Sequence, residues 1–339
     1  MTIQKVTTEF ALPTPPEIPG YTWRPARRED VPAIHAMLIA VDKADDRTAA
    51  GTLEDRQREF DDPWSNPEAD SLLAFAPDGT VAALARTFVN PKPEGESRAY
   101  LWDEVHPEHR RVGDLGEFLL SWLEARGRQR LQATPGDLPR VLRVGCQDNL
   151  HDRMALYERR GFRAARYFYK MRRDLGQPIP DMPLAEGLTL RTYSPEMDHG
   201  TLEAFNESFS DHWGFERATQ EDWQMFFVGR SSFRPEVTFL TLEGDRVIGF
   251  SVNYISPEDN ARHGIQEGWI GSLGVRRAWR KRGVASALLC QSMRAFKAEG
   301  LDYATLGVDT ENLTGALRLY ERVGFAPVKR FIAFAKPVS

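Results

Sequence analysis

The stretch VRRAWRKRGVASALL, from Val275 to Leu289, changes from a basic run to an apolar helical pattern at a single glycine, Gly283. Five basic side chains precede that glycine: Arg276, Arg277, Arg280, Lys281 and Arg282. The apolar residues after it recur at spacings of three and four, which indicates a helix; they are Ala285, Leu288, Leu289, Met293 and Phe296. A predicted strand, WIGSLGV, comes directly before the basic run. A strand, a glycine turn and a helix N-terminus expose backbone N–H groups at the positive end of the helix dipole, so the stretch predicts an anion site.

The composition of the whole chain limits the kind of partner that this site can serve. The 339 residues carry a formal net charge of −5, with 41% hydrophobic and 27% charged residues. These values are typical of a globular protein with two domains. An acidic balance disfavours binding of nucleic acid or of an anionic membrane by the chain as a whole. We therefore expect the basic run to act locally.

Cysteine and histidine usage argues against a disulfide framework and against a metal site. The two cysteines, Cys146 and Cys290, lie far apart, and the seven histidines show no metal-ligand spacing. The N-terminus lacks the apolar core of a signal peptide, and no apolar run approaches the ~18 residues of a membrane helix. We expect a cytoplasmic protein, a monomer or homodimer, with no membrane or nucleic-acid partner. The prolines of residues 1–20 predict an extended N-terminal arm.

The chain repeats itself, and the repeat indicates two related domains. NLHDRMALYERRGF, Asn149 to Phe162, parallels NLTGALRLYERVGF, Asn312 to Phe325. Upstream of each lies a basic cluster, a glycine and a helical pattern, which begin at His109 and at Trp279. Further upstream, each copy starts with a short strand and a helix. Three landmarks in the same order argue for duplication of one domain.

The pattern within each copy predicts the class of fold. Strand patterns joined by Asp78-Gly79 and by Gly244-Asp245 predict antiparallel hairpins. Strand, helix, strand, helix and strand then follow in both copies. The sequence thus predicts an α/β (α+β) protein of two tandem domains, each a mixed, largely antiparallel sheet flanked by helices. The segment DLGQPIPDMPLAEG predicts a linker at 176–187, between domains at 21–175 and 188–339.

The loop at Gly283 lacks the two common nucleotide-binding motifs. No G-K-[ST] follows it, and no G-x-G-x-x-G is present. Residues 280–285 instead resemble the R-x-x-G-x-[GA] loop of the GNAT acyl-CoA N-acyltransferases, and Asn312, Tyr320 and Gly324-Phe325 follow in that family's order. Because the motifs repeat, the resemblance covers nearly the whole chain after residue 20. The tandem organisation is similar to that of the mycothiol synthase type of two-domain GNAT protein.

The resemblance implies acetyl-CoA as a co-substrate, without a metal, and assigns residues to it. The residues that would bind its pyrophosphate are Arg280, Lys281, Arg282, Gly283, Val284 and Ala285. Those that would pair with the pantetheine arm are Leu273, Gly274 and Val275, and Asn312 would contact the cofactor. Tyr320 would protonate the leaving thiolate, and a backbone N–H near Val275 would polarise the thioester carbonyl.

The acceptor amine must be neutral to attack, so a base is also expected. Glu267 is the first candidate, because residues 267, 269, 271, 273 and 275 share one face of an extended strand. Asp309, at the end of the next strand, is the alternative. In this family's acceptor region lie His212, Trp213 and Phe215, which either bind substrate or pack between helices.

The first copy departs from the pattern. A second cofactor site would use Arg110, Arg111, Gly113 and Asn149, and Tyr157 matches Tyr320. Leu115 replaces the small residue of the loop, and Asp114 adds negative charge beside the expected phosphates. We therefore predict a degenerate, non-catalytic first domain.

Together these features predict an acetyl-CoA-dependent N-acyltransferase in which a small-molecule amine attacks the thioester directly. One alternative is mycothiol synthase, acting on a cysteinyl pseudodisaccharide. Another is a non-catalytic CoA-binding regulatory module, against which Tyr320 and Glu267 weigh because a sensor needs neither an acid nor a base.

Overall fold

The computed structural model describes residues 10–47, 51–62, 65–90, 92–312 and 315–338. The chain divides into two compact units, which consist of Met1–Ala165 with Ala333–Ser339, and of Arg166–Ile332. Residues 1–9 of the predicted N-terminal arm lie outside the described residues. The predicted linker, 176–187, falls within the second unit.

The first unit contains both helices and strands. Its helices are α1 Val31–Ala44, α2 Leu53–Phe60, α3 Pro67–Asp70, α4 Leu115–Ala133 and α5 His151–Arg159. Its strands are β1 Thr22–Arg24, β2 Ser71–Phe75, β3 Val81–Val89, β4 Ser97–Val105 and β5 Arg140–Gln147. Strand β6, Arg163–Asp174, starts here and passes into the second unit at Arg166.

The second unit follows a similar order of elements, with a further helix between two of its strands. Its helices are α6 Asp198–Phe209, α7 Gln220–Trp223, α8 Pro257–His263, α9 Val284–Ala298 and α10 Ala316–Arg322. Its further strands are β7 Leu188–Thr192, β8 Phe239–Glu243, β9 Arg246–Tyr254, β10 Glu267–Val275, β11 Tyr303–Asp309 and β12 Ala326–Val338, the last of which ends in the first unit.

Each unit contains a mixed sheet, and the two sheets follow the same pattern of strand pairing. In the first, β1, β2, β3 and β4 pair successively in antiparallel fashion, and β4 pairs with β5 in parallel. In the second, β7 to β10 are antiparallel in turn, β10 and β11 are parallel, and β11 pairs with β6 in antiparallel fashion. The predicted fold class and hairpins are confirmed, since β2 with β3 and β8 with β9 form antiparallel pairs across the expected turns.

Helix α9 packs on the sheet through the face that its sequence predicts. Leu288, Leu289, Met293 and Phe296 are buried, with Met293 and Phe296 in one apolar cluster with Tyr320 of α10. Burial of such side chains stabilises the fold by about 1.5–3 kcal/mol each. This packing fixes the N-terminus of α9 beside the end of β10. In the part of the chain that the structure describes, no helix is long and apolar enough to cross a membrane.

Candidate active site

The second unit contains a cavity of about 600 Å³ where two parallel strands separate. Strands β10 and β11 pair only over Glu267–Ile270 and Tyr303–Leu306. Just past that point, β10 shifts register against β9 between Ile270 and Ser272, as at a β-bulge. The cavity is lined by the diverging residues of both strands, including Gly271, Leu273, Gly274, Val275, Gly307, Val308 and Asp309. A strand edge left unpaired in this way offers backbone groups to a ligand.

The loop between β10 and α9 closes one side of the cavity. Gly283 precedes α9 with φ of 80°, and Lys281 has φ of 62°, in the left-handed region that non-glycine residues rarely adopt. Such strained backbone clusters at ligand sites. Lys281, Gly283, Val284, Ala285 and Ser286 line the cavity, so the first turn of α9 faces into it. Amide groups at this turn have no partner within the helix and favour an anion.

Gly274 allows close approach at the strand itself. A Cβ atom there would lie 2.3 Å from Cζ of Phe250 and 2.5 Å from Oγ of Ser208. Glycine at this position therefore lets β10 pack closely against Phe250 and Ser208.

The side chain of Arg280 is held by the protein. Its Nη1 lies 2.8 Å from Oδ2 of Asp211, its Nη2 donates to the carbonyl of Ser208 at 2.8 Å, and its Nε donates to the carbonyl of Val275 at 3.2 Å. The hydrogen bond from Arg280 lowers the pKa of Asp211 below its usual value. Arg280 thus ties the end of β10 to the segment after α6.

Two further residues of the basic run contact Glu207 of α6, one through its side chain and one through its backbone. Arg276 is 6% exposed and its Nη1 lies 2.7 Å from Glu207, while Arg277 donates its backbone N–H to the same carboxylate at 3.3 Å. Arg282 lies 3.9 Å from Glu243 and does not line the cavity. Of the five basic residues, Arg280 and Lys281 line the cavity. The run therefore has a structural role that the sequence did not predict.

Tyr320 lines the cavity from α10 and is 8% exposed. Its ring packs against Phe325 at a centroid distance of 6.2 Å. Burial raises the pKa of Tyr320 to about 12, because the interior disfavours the phenolate. The hydroxyl therefore stays protonated throughout the physiological range and can supply a proton inside the cavity.

His212, Asn312 and Asp309 come together at the same cavity. Nδ2 of Asn312 lies 3.1 Å from Nε2 of His212, and all three residues line the cavity wall. Burial lowers the pKa of His212, an effect that the neighbouring Asp211 only partly offsets. Asp309 accepts a hydrogen bond from the backbone of Glu311 at 2.9 Å.

Glu267 does not line the cavity. Its carboxylate lies 2.7 Å from Nζ of Lys170 and 2.8 Å from Arg172, and it accepts a hydrogen bond from Thr305 at 2.9 Å. Burial opposes its charge, but the two cations and the hydrogen bonds outweigh this and lower the pKa of Glu267. The register shift after Ile270 breaks the strand alternation on which its predicted cavity position depended.

Trp213 and Phe215 also lie outside the cavity lining. Trp213 packs against Phe168 at 6.2 Å between ring centroids, and Arg166 lies 5.5 Å over its ring. Phe215 packs against the apolar cluster of α6, β8 and β9. Of the three predicted acceptor-binding residues, His212 is the one that the structure places at the cavity.

Two stretches of the chain, residues 38–162 and 199–325, match the acetyltransferase (GNAT) family. The chain belongs to the GNAT family. It is 31% identical over 272 residues to the mycothiol acetyltransferase of Thermobispora bispora, covering 77% of this chain and 82% of that protein. The same enzyme name belongs to a Geodermatophilus obscurus relative, also 31% identical, over 75% of this chain and 78% of that one.

Solved structures agree with this assignment. A GCN5-related N-acetyltransferase from Sphaerobacter thermophilus superimposes with a TM-score of 0.70 and 28% identity, covering 96% of this chain and 97% of that one. A tandem GNAT protein from the clavulanic acid biosynthesis pathway shares the fold, with a TM-score of 0.67, 17% identity and coverage of 94% and 98%. The chain is therefore a tandem GNAT acetyltransferase, an N-acetyltransferase enzyme, and the predicted family is confirmed.

The first GNAT unit repeats the loop arginine and its acidic partner. Arg110 lies 2.7 and 2.9 Å from the two carboxylate oxygens of Asp45, and its Nε donates to the carbonyl of Val105 at 3.4 Å. Asn149 donates to the carbonyl of Asp45 at 3.4 Å. Arg111 is exposed, and Gly113 has φ of 53°. The arginine–aspartate pair and the positive φ of the glycine are thus retained in this copy, but the loop backbone differs, with ψ of −20° at Arg110 and 156° at Arg280.

The strand and helix positions that border the cavity in the second unit carry charged side chains in the first. Glu104 stands where the second copy has Gly274, and Arg153 stands where it has Ala316. Arg153 lies 3.2 Å from Glu104 and 3.1 Å from Asp103, and Arg47 lies 2.7 Å from Glu104. The hydroxyl of Tyr157 donates to Asp103 at 3.0 Å and the ring is 1% exposed. Ion pairs therefore occupy these positions in the first copy.

Sequence reasoning missed Asp211 and the lining contributed by β11. Asp211 has no motif of its own, but Asp45 and Asp211 both follow the first helix of their copy, and this shared acid was the available signal. Gly307 and Val308 line the cavity just past the point where β11 stops pairing with β10. No local pattern in a single sequence indicates where two neighbouring strands stop pairing.

In the described residues no group of three or more His, Cys, Asp and Glu side chains is placed to hold a metal ion. Both cysteines are buried, and burial raises the pKa of Cys146 to about 11. Neither cysteine lines the cavity of the second unit.

Proposed function

We propose that the second unit transfers the acetyl group of acetyl-CoA to the amine of a small-molecule acceptor. The observation that carries this proposal is a cavity between separated parallel strands that ends at the first turn of α9 and has the buried Tyr320 in its wall. A strand edge suits an amide-bearing arm, and a helix N-terminus suits a phosphate. Acetyl-CoA contains both groups.

The residues present fit that co-substrate. The backbone from Lys281 to Ala285 would hold the pyrophosphate, with the Lys281 side chain as an added charge. The exposed edge of β10 from Leu273 to Val275 would pair with the pantetheine arm, and Asn312 would contact it. Because the Arg280 side chain is bound by Asp211 and two carbonyls, its part is to fix the loop's shape.

Acyl transfer then needs an acid for the leaving thiolate and a path for direct attack. Tyr320 supplies the acid, since its raised pKa keeps the proton on the hydroxyl until the thiolate forms. A backbone N–H near Val275 would stabilise the oxyanion. No described residue of the cavity lining is a cysteine, which supports direct attack by the amine without a covalent enzyme intermediate.

The names of the relatives favour one acceptor, a mycothiol precursor, which is a cysteinyl pseudodisaccharide with a free amine. Two relatives that are 31% identical over three quarters of this chain carry the name mycothiol acetyltransferase. Within the GNAT family a shared fold does not fix the acceptor. The acceptor class is therefore small-molecule amines, of which the mycothiol precursor is one.

We further propose that the first unit neither binds acetyl-CoA nor catalyses the reaction. Glu104 would place a carboxylate in the stretch of β4 that corresponds to the cofactor-binding edge of β10. Its ion pairs with Arg47 and Arg153 would have to break before a ligand could enter. Leaving a buried charge without a partner costs about 3–5 kcal/mol, so the filled form is favoured.

The proposed function is tested by incubating the full chain with acetyl-CoA, the cysteinyl pseudodisaccharide and a panel of aminoglycosides and simple amines. Mass spectrometry is expected to detect one added acetyl group on the amine of the cysteinyl compound. Acetylation of a different amine in its place would support the proposed activity but contradict the proposed acceptor. A protein that binds acetyl-CoA but acetylates none of these amines would instead support a CoA-responsive regulatory module.

A further inference from the structure

His212 occupies a position in the second unit that neither the GNAT motifs nor the relatives' names assign. It follows α6, lines the cavity, and stacks on Phe209 with ring centroids 4.4 Å apart and planes inclined by 26°. Its side chain retains 27% exposure. The imidazole is therefore fixed in orientation while one edge remains open to the cavity.

The neighbours of the ring determine where its proton resides. Nδ1 is buried, has no hydrogen-bond partner and lies 3.5 Å from a carboxylate oxygen of Asp211. That carboxylate is itself held by Arg280 at 2.8 Å. A carboxylate beside Nδ1 favours the tautomer with the proton on Nδ1. Nε2 then carries the lone pair, and Nδ2 of Asn312 lies 3.1 Å from it.

Burial of the ring, more than its charged neighbours, favours the neutral form of His212. Burial has the largest effect and lowers the pKa of His212, Arg280 lowers it further, and Asp211 and Asp309 act in the opposite direction. A neutral imidazole can accept a proton. By contrast, the Glu267 carboxylate is paired with two cations and lies away from the cavity lining.

We propose that His212 is the general base of the second unit, that Asp211 positions its ring, and that Asn312 occupies Nε2 until acetyl-CoA draws the amide away. This inference rests on the proposed function, because it takes acetyl-CoA and an amine as the reactants. It also predicts an order of binding, with acetyl-CoA before the amine.

The proton balance of the step is complete with the residues present. The amine nitrogen forms a bond to the thioester carbon, and the carbon–sulfur bond breaks. Nε2 of His212 takes the proton that the nitrogen loses, and the thiolate takes the proton of the Tyr320 hydroxyl. The imidazolium and the phenolate then return to their starting forms by exchanging a proton through solvent.

The test compares the full-length wild type with His212→Gln, which retains a polar side chain of similar reach but cannot take up a proton. His199→Gln is the matched control, because His199 lies on α6 with an 82% exposed side chain. With the amine that the panel identifies, His212→Gln is expected to lower kcat about 100-fold and to remove the loss of kcat at acid pH. Its Kd for acetyl-CoA should stay within about threefold of wild type.

A second measurement does not depend on the acceptor. NMR titration of the His212 ring, with CoA bound to the full chain, is expected to give a midpoint below the ordinary value of 6.5. The proposal is overturned by unchanged kcat and pH profile in His212→Gln, or by a ring that stays protonated throughout the pH range in which the enzyme is active. Absence of turnover in the wild type would reject the proposed function instead, and the titration would still decide whether His212 can act as a base.

Discussion

At the scale of single residues, two tyrosines of the same motif have different neighbours. Tyr320 lines an open cavity, whereas the hydroxyl of Tyr157 donates to Asp103 at 3.0 Å. Burial raises the pKa of both, so neither phenol loses its proton near neutral pH. Only Tyr320 has space beside it for a leaving thiolate. Asp103, which accepts the hydrogen bond of Tyr157, corresponds in sequence to Leu273 of the second copy, whose side chain cannot accept one.

Replacing these tyrosines by phenylalanine should separate the two roles. Tyr320→Phe is expected to lower kcat by about 100-fold with little change in the Kd for acetyl-CoA, because the acid acts only as the thiolate leaves. Tyr157→Phe should leave kcat unchanged and reduce the free energy of unfolding by about 1 kcal/mol, since one buried hydrogen bond is lost. Steady-state kinetics and chemical denaturation measure both effects. Equal losses of kcat in the two variants would contradict the assignment.

How far the sequence predicted the site differs from residue to residue. Gly274, Gly283, Asn312 and Tyr320 were named from motif spacing, and all four line the cavity. The ion pair between Arg280 and Asp211 was not predicted, since it joins segments that meet only in the folded unit. The placement of Glu267 depended on regular strand alternation, which the register shift after Ile270 interrupts.

At the scale of elements, the site depends on β10, the loop after it and α9. Gly283 holds a left-handed backbone at the N-terminus of α9, and no atom lies within 4 Å of the place where its Cβ would be. Its counterpart, Gly113, also has a positive φ, of 53°. Both glycines therefore supply a positive φ before a helix, although Gly283 directly precedes α9 and Asp114 separates Gly113 from α4. The alternation of strands, helices and hairpins that forms this unit was predicted from periodicity, because each element carries a repeating apolar face.

Alanine at the two glycines tests the loop with a matched pair. Both Gly283→Ala and Gly113→Ala should lower the free energy of unfolding by about 1 kcal/mol, because alanine is strained at positive φ. Gly283→Ala should in addition weaken acetyl-CoA binding about tenfold, by moving the amides that face the phosphates. Calorimetric titration of each variant measures this difference. If Gly113→Ala alone weakened acetyl-CoA binding, the cofactor would bind at the loop of the first unit, contrary to the proposal.

At the scale of the whole molecule, the GNAT fold occurs twice, with a cavity in the second unit and ion pairs at corresponding positions of the first. Both units keep the strand pairings and the arginine that ties the loop to an acidic residue. The second keeps glycine on β10 and leaves a cavity of about 600 Å³, while the first pairs Glu104 with Arg47 and Arg153. Duplication was evident from repeated motifs. The pairing that separates the copies was not, because Arg47, Glu104 and Arg153 belong to three distant segments.

The central claim is that acetyl-CoA binds in the second unit and not in the first. Calorimetric titration of acetyl-CoA into the full chain tests it most directly, because the heat gives the number of sites without an acceptor. We expect one site per chain, weakened by Gly283→Ala and unaffected by Gly113→Ala. Two sites per chain, or no measurable binding, would contradict the account.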